Sequence, residues 1–279
     1  MERNTAMQMY VNDYQRYLYE EEKSSATIKK YLRDVRDFCV YARDETITKD
    51  KVMGYKQKLA GQQYAPSSIN SMLASVNSFL EYRKIPECKV HNFRIQKNTF
   101  SAKDKELTRK EYLRLLEATG TKEWLKLVMQ TICATGIRVS ELKAFTVEAV
   151  QKGEVIVRCK SKTRIVFIPQ KLRQQLLKYA GSREIQSGII FITRGGKPLD
   201  RSYIWAQMKK LCKIAGVNPE KVYPHNLRKL FARTFYQKEK DIAKLSDLLG
   251  HSSIDTTRIY IMTTGEEHRK QVERLGLVI

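Results

Sequence analysis

The sequence predicts a mainly α-helical protein with a small antiparallel β-sheet, built as an N-terminal helical domain followed by an α+β domain. Three observations carry this expectation. Apolar residues recur at helical spacing through the first eighty residues. Val155-Ile156-Val157 and Ile165-Val166-Phe167-Ile168 flank a short basic connection and form the clearest strand pair in the chain. Between the two regions lies a stretch with Pro86, scattered charges and little periodicity, which ends in the polar run Gln96-Lys97-Asn98-Thr99. The expected division is a helical domain over 1–95, a linker over 96–106, and a second domain with a C-terminal tail over 107–279.

In the first domain, Tyr10, Tyr14, Tyr17 and Leu18 share a helical face between Ala6 and Glu22. Ser24 and Ser25 supply a capping signal for a second helix lined by Ile28, Tyr31, Leu32, Val35, Phe38 and Ala42. Its other faces carry Lys29, Lys30, Arg33 and Arg36, either a nucleic-acid contact or an ordinary solvated surface. Thr48 caps a third helix with Val52, Tyr55 and Leu59 inward. Pro66 opens a fourth, with Ile69, Met72, Leu73, Val76, Phe79 and Leu80 on its buried face. Ser67, Ser68 and Asn70 sit in its first turn, where free backbone N–H groups can meet a phosphate.

The second domain begins at a capping box, Thr108 with Glu111. A helix from about Lys122 uses Leu125, Val128, Met129 and Ile132, and stops at Thr135-Gly136. Glycine permits the sharp turn on which Arg138 follows, and Ser140-Glu141-Leu142 starts a further helix. After the strand pair, Ile189-Ile190-Phe191-Ile192 is expected as a third short strand. Arg201 to Ala215 reads as a helix with Ile204, Met208, Leu211 and Cys212 inward. Pro224 opens the next one, in which a spacing of three sets His225 and Arg228 on one face. Leu245, Leu248 and Leu249 lead to a stop at Gly250, so His251 emerges at a turn. Ser253 caps the helix that carries Tyr260, and Thr264 with Glu267 predicts a last short helix over about 265–274.

Composition narrows the function classes. Lys and Arg number 52 against 30 Asp and Glu, a net charge of +22, which suits a polyanionic partner. Residues 1–100 hold 17 basic and 12 acidic side chains (+5), leaving 35 and 18 (+17) to residues 101–279. No apolar run approaches the ~20 residues of a membrane span, and no apolar signal core follows the N-terminus. A soluble, cytoplasmic protein without a membrane partner is expected. The five cysteines lie far apart with no Cys-x-x-Cys pair, which favours free thiols over a disulfide frame or zinc site. There is no glycine-rich nucleotide loop and no carboxylate cluster, so no cofactor and no metal are expected, and a two-metal nuclease is disfavoured.

The chemistry-bearing residues fall into four boxes. They are Thr135-Gly136-Ile137-Arg138-Val139-Ser140-Glu141-Leu142, Pro224-His225-Asn226-Leu227-Arg228, Leu248-Leu249-Gly250-His251-Ser252-Ser253, and Thr256-Thr257-Arg258-Ile259-Tyr260. Two arginines can grip one phosphate, two histidines can donate to it or move protons, and a tyrosine hydroxyl can attack it. In order and local context these boxes resemble the tyrosine recombinase (phage integrase) family. The likeness is strong from Arg138 to Tyr260 and loose over the first hundred residues, where the family has a helical core-binding domain. That family places a catalytic lysine on the hairpin. Lys160 matches it best, because Lys162-Thr163-Arg164-Ile165-Val166 follows the family's Lys-x-Arg-apolar pattern; the usual Gly-Lys-Gly loop is absent, and Lys162 stays in competition.

The resemblance implies a site-specific recombinase that cleaves and rejoins DNA through a 3′-phosphotyrosyl intermediate. Tyr260 would be the nucleophile and His225 its base. Arg138, Arg228 and His251 would hold the phosphate, and Lys160 would protonate the departing 5′ oxygen. Glu141 would orient a basic partner. The implied partner is double-stranded DNA with paired half-sites, bound as two duplexes by a homotetramer closed through the C-terminal tail. No additional N-terminal arm-binding domain is expected. A type IB topoisomerase and a DNA-binding protein without catalysis are the competing readings.

Overall fold

The structure is a computed structural model that describes residues 2–43, 46–95, 106–159 and 162–262, with 269 and 273–275. The chain forms two compact units, Met1–Lys97 and Asn98–Ile279.

The first unit is a four-helix bundle: α1 (Glu2–Glu20), α2 (Ser25–Ala42), α3 (Lys49–Gly61) and α4 (Pro66–Tyr82). Ser24 and Thr48 cap α2 and α3 by accepting the backbone N–H groups of Thr27 and Lys51. The anticipated faces meet in one core, in which Tyr14, Val35, Phe38, Leu73, Val76 and Leu80 are fully enclosed. Tyr14 meets Phe79 edge-on at 5.2 Å, a favoured aromatic arrangement.

Two polar groups of these helices have partners inside the unit. Asp34 lies buried on α2, where it pairs with Lys30 at 2.8 Å and Arg33 at 2.9 Å and accepts a hydrogen bond from Ser75 of α4. A buried carboxylate needs such partners, so part of the supposed outer basic face serves the interior. Asn70 is likewise engaged, donating to the Phe93 carbonyl and accepting from the Phe93 N–H.

The second unit starts with α5 (Arg109–Glu117), whose Thr108–Glu111 capping box is present, and α6 (Glu123–Thr135). A 3-10 turn over Val139–Ala144 stands where a helix was expected, followed by α7 (Val147–Lys152). The hairpin pairs β1 (Glu154–Cys159) with β2 (Lys162–Phe167) in antiparallel register, from Glu154 opposite Phe167 to Cys159 opposite Lys162. Then come α8 (Gln170–Ser182), α9 (Arg201–Ala215), α10 (Pro224–Glu239), α11 (Ile242–Leu249) and α12 (Ile254–Ile261). Val155, Val157 and Val166 turn inward and join the central core with Leu125, Ile132, Leu176 and Leu227.

The third strand does not form. Ile190 and Phe191 are buried as wedges, and their neighbours Ile189 and Ile192 make only isolated bridges, to Thr146 and Pro198. A run of four apolar residues fixes burial, not strand pairing. The helix expected over 265–274 falls largely outside the described residues.

Candidate active site

The site grows from two glycine-terminated helices. Gly136 ends α6 at φ +66°, and a Cβ there would run into the Phe231 ring of α10. Only glycine meets both demands, the left-handed backbone and the close approach. The chain then turns out to Arg138, a third of whose side chain is open to solvent. Gly250 ends α11 in the same way at φ +64°, with the His251 N–H closing back on the Ser246 carbonyl.

Glu141 ties these turns together. Its buried carboxylate accepts the Arg138 backbone N–H at 2.7 Å and pairs with the Arg138 guanidinium at 3.1 Å. Arg164 of β2 grips it with two further bonds, 3.1 and 2.8 Å long, and donates its Nε–H to the Leu248 carbonyl of α11. Burial alone would push the Glu141 carboxyl up, but these donors together hold it below its usual value. Arg164 also lies against Gly250, where a Cβ would meet it at 2.9 Å. One arginine thereby joins the hairpin, the Arg138 turn and the end of α11.

Arg228 occupies the centre. It is among the largest fully buried side chains, placed there by α10. Its guanidinium donates to the Gly136 carbonyl at 2.5 Å and the Leu249 carbonyl at 2.6 Å, and meets His251 Nε2 at 3.0 Å. Among the described residues no carboxylate contacts it, and its buried Nε–H has no protein partner. Burial, then the charge of Arg138, pushes its pKa down to about 10, so it stays charged at neutral pH.

His225 lies in the first turn of α10, directly after Pro224, and is exposed to solvent. Desolvation of its ring, then the charges of Lys229, Arg228, Arg138 and Arg201, lowers its pKa to about 4. His251 is lowered to about 4 by burial and then by Arg228, Arg138, Arg164 and His225. Both imidazoles are therefore neutral at pH 7 and carry a lone pair each.

Tyr260 of α12 is buried between them. Its ring meets His225 edge-on at 5.1 Å and His251 edge-on at 5.0 Å. Ala232, Leu245 and Leu249 pack around the same side chain. The cluster thus combines an excess of guanidinium charge with two neutral imidazoles around one phenol. It can hold an oxyanion and take a proton from the phenol.

Arg138, His225, Arg228, His251 and Tyr260 converge in this cluster. Lys160 lies outside the described residues, as does Ser161, and these two alone join β1 to β2. Two members escaped the sequence reading of roles. Arg164 shares the inward face of β2 with Val166, and an inward arginine on a strand requires an acid; that alternation was the signal. Thr257, wholly buried on α12, is 2.8 Å from His251 Nδ1. A threonine within a helix gives no comparable sequence signal.

Comparison with known proteins decides the family. The profile of the phage integrase family matches residues 105–267, and that of the phage integrase N-terminal SAM-like domain matches residues 11–84. The chain belongs to the phage integrase family. Among relatives of this integrase-family chain is the tyrosine recombinase XerA of Pyrococcus furiosus, 28% identical and covering 100% of this chain and 98% of its own. The tyrosine recombinase XerD of Halalkalibacterium halodurans is also 28% identical, over 92% of this chain and 95% of the relative. A crystal structure of XerA recombinase matches with 25% identity, TM-score 0.55, 98% of this chain and 100% of the other. Lambda integrase (75–356), solved as a dimer on a COC′ core site, shares the fold at TM-score 0.73 and 19% identity, with 92% and 96% covered.

Proposed function

We propose that Tyr260 attacks a DNA phosphate held by Arg138, Arg228 and His251, with His225 as the base that takes the phenolic proton. The chain is a tyrosine recombinase: it breaks DNA strands at specific sites and rejoins them. The observation that supports these roles best is Arg228. A buried guanidinium with no carboxylate in contact is costly, and it sits beside a tyrosine flanked by two neutral imidazoles.

As the tyrosine oxygen bonds to phosphorus, the bond to the 5′ oxygen breaks, and Lys160 gives that oxygen a proton. Lys162 is the competitor for this last role. Charge grows on the nonbridging oxygens during attack, so Arg138 and Arg228 bind the transition state more tightly than the starting diester. The 3′-phosphotyrosyl bond keeps the energy of the broken one, and attack by a 5′ hydroxyl of the partner strand reverses the steps.

The partner is double-stranded DNA with paired half-sites. Residues 1–95 serve as the core-binding domain, 96–106 as the linker and 107–279 as the catalytic domain. Assembly is a homotetramer on two duplexes through the C-terminal tail, and the protein acts in the cytoplasm; a lambda integrase tetramer on a Holliday junction, alike in fold, supports the assembly. No helix among the described residues is long and apolar enough to cross a membrane.

A nicked suicide substrate tests the assignment. Wild-type protein forms a covalent adduct, whereas Tyr260→Phe binds the same DNA and forms none. An adduct that survives in this variant, or maps to another tyrosine, overturns it.

A further inference from the structure

The contacts of His251 define its protonation state. Arginine has donors only, so the 3.0 Å contact between an Arg228 terminal nitrogen and His251 Nε2 requires the lone pair to be on Nε2. A neutral ring then carries its hydrogen on Nδ1 and donates it to Thr257 Oγ1, 2.8 Å away. In this state His251 offers no N–H toward the position of Arg228. A phosphate oxygen there would need one.

We infer that Thr257 is a positioning residue that holds the His251 ring in place and serves at Nδ1 whichever tautomer the group facing Nε2 demands. The inference rests on the phosphate-binding role given to His251 above. A hydroxyl both accepts from an N–H and donates to a lone pair, with little change of position. In the free protein Thr257 accepts from Nδ1–H, and Nε2 receives the Arg228 hydrogen bond. With a phosphate at Arg228, Nε2 takes a proton from water and Nδ1 releases one to water when its contact with Thr257 briefly opens, with no net gain. Thr257 then donates to Nδ1, and Nε2–H faces the phosphate oxygen. The ring keeps one orientation throughout.

The surroundings suit this device. Thr257 is fully enclosed, so water does not compete for Nδ1 from that side. The charged groups that face His251 are Arg228 from α10, Arg138 from the 3-10 turn and Arg164 from β2, with His225 also from α10. All oppose a second proton on the ring, which leaves exchange between the two neutral forms as the easier route. Thr257 also stands one helical turn before Tyr260, so the bond ties the nucleophile's helix to the ring that contacts the phosphate.

Only four histidines occur in the chain, which makes nitrogen-15 NMR of labelled imidazoles practicable. DNA-free wild type is expected to show the His251 signal of the Nδ1–H form. Addition of uncleaved target DNA to Tyr260→Phe should move it to the Nε2–H form. Thr257→Val, which keeps the shape and removes the hydroxyl, should leave Nδ1 without a hydrogen-bond partner, weaken or abolish the change of tautomer on DNA binding, and form the covalent adduct roughly tenfold more slowly or worse. Thr257→Ser should restore both the signal and most of the rate. An Nε2–H signal in the free wild type overturns the inference whatever the variants do. Equal rates in wild type and Thr257→Val overturn it too, as does a serine variant as slow as the valine one, because the methyl packing would then be the cause. If Tyr260 is not the nucleophile, the wild-type adduct maps to another residue or persists in Tyr260→Phe, while the tautomer signals still decide the role of Thr257.

Discussion

Three side chains make the site sensitive to acid, with the same sign. His225 and His251 each drop from an ordinary value of 6.5 to about 4 on folding. Between those values the unfolded chain binds more protons than the folded one, so lowering the pH from about 6.5 toward 4 favours unfolding. Glu141, held below its ordinary 4.5, acts in a lower window: its stabilisation is present above that value and fades as its carboxylate is protonated. Urea midpoints should therefore fall from pH 7 to pH 5, and the fall should be shallower in the His225→Gln, His251→Gln double variant. An unchanged slope there would place the acid sensitivity elsewhere. The hairpin lysines call for a different test, on DNA with a sulfur in the 5′-bridging position, a leaving group that scarcely needs protonation. Cleavage by Lys160→Ala should recover on it far more than cleavage by Arg138→Ala. Recovery of Lys162→Ala instead would transfer the general-acid role to that neighbour.

Among the elements, Gly136 has the most to do. It ends α6 with a left-handed residue, lets Phe231 approach, and gives Arg228 its carbonyl. Gly120 is a natural control, with φ +51° and nothing near its missing Cβ. Gly120→Ala should cost about 1–2 kcal/mol, the strain of a left-handed alanine. Gly136→Ala adds overpacking of about 1–3 kcal/mol, and should also slow adduct formation by displacing Arg138. Equal losses of stability in the two variants, read by urea denaturation, would mean that Phe231 yields freely. Much of this layer was legible in the sequence. The apolar faces of α2, α4 and α9 repeat at helical spacing, and the Gly136 and Gly250 stops follow from glycine's freedom. The helix α8 carries Leu172, Leu176, Tyr179 and Ala180 at helical spacing, but no side chain caps its start to mark where it begins. Asp34 was hidden for a different reason: its burial depends on Ser75, 41 residues away. Pairing across that distance leaves no local mark. The convergence of Arg138, Arg228, His251 and Tyr260 came from order and context of their boxes; the Arg164 and Thr257 contacts needed coordinates.

At the level of the whole molecule, charge and assembly pull on different parts of the chain. The excess of +17 over residues 101–279 makes affinity for one DNA site a matter of counterion release, so single-site binding should weaken steeply with salt. The proposed assembly draws instead on the apolar stretch Leu275-Gly276-Leu277-Val278-Ile279. Leu275 is 62% exposed, and residues 276–279 lie outside the described residues. Exposed apolar clusters on soluble proteins mark contact sites. Burying two or three such side chains contributes roughly 3–6 kcal/mol before the ordering of the tail is subtracted. A head-to-tail contact of this kind closes a ring when the rotation between subunits permits. Since the tail follows the helix that carries Tyr260, docking on a neighbour would couple the position of the nucleophile to assembly. Deletion of residues 276–279 should then leave folding and single-site DNA binding unchanged while it weakens synapsis of two duplexes and alters cleavage. Gel-shift assays of one-site and two-site complexes separate these effects. A truncated protein that still forms tetrameric synapses and recombines at the wild-type rate would show that the tail docks on its own subunit or on nothing.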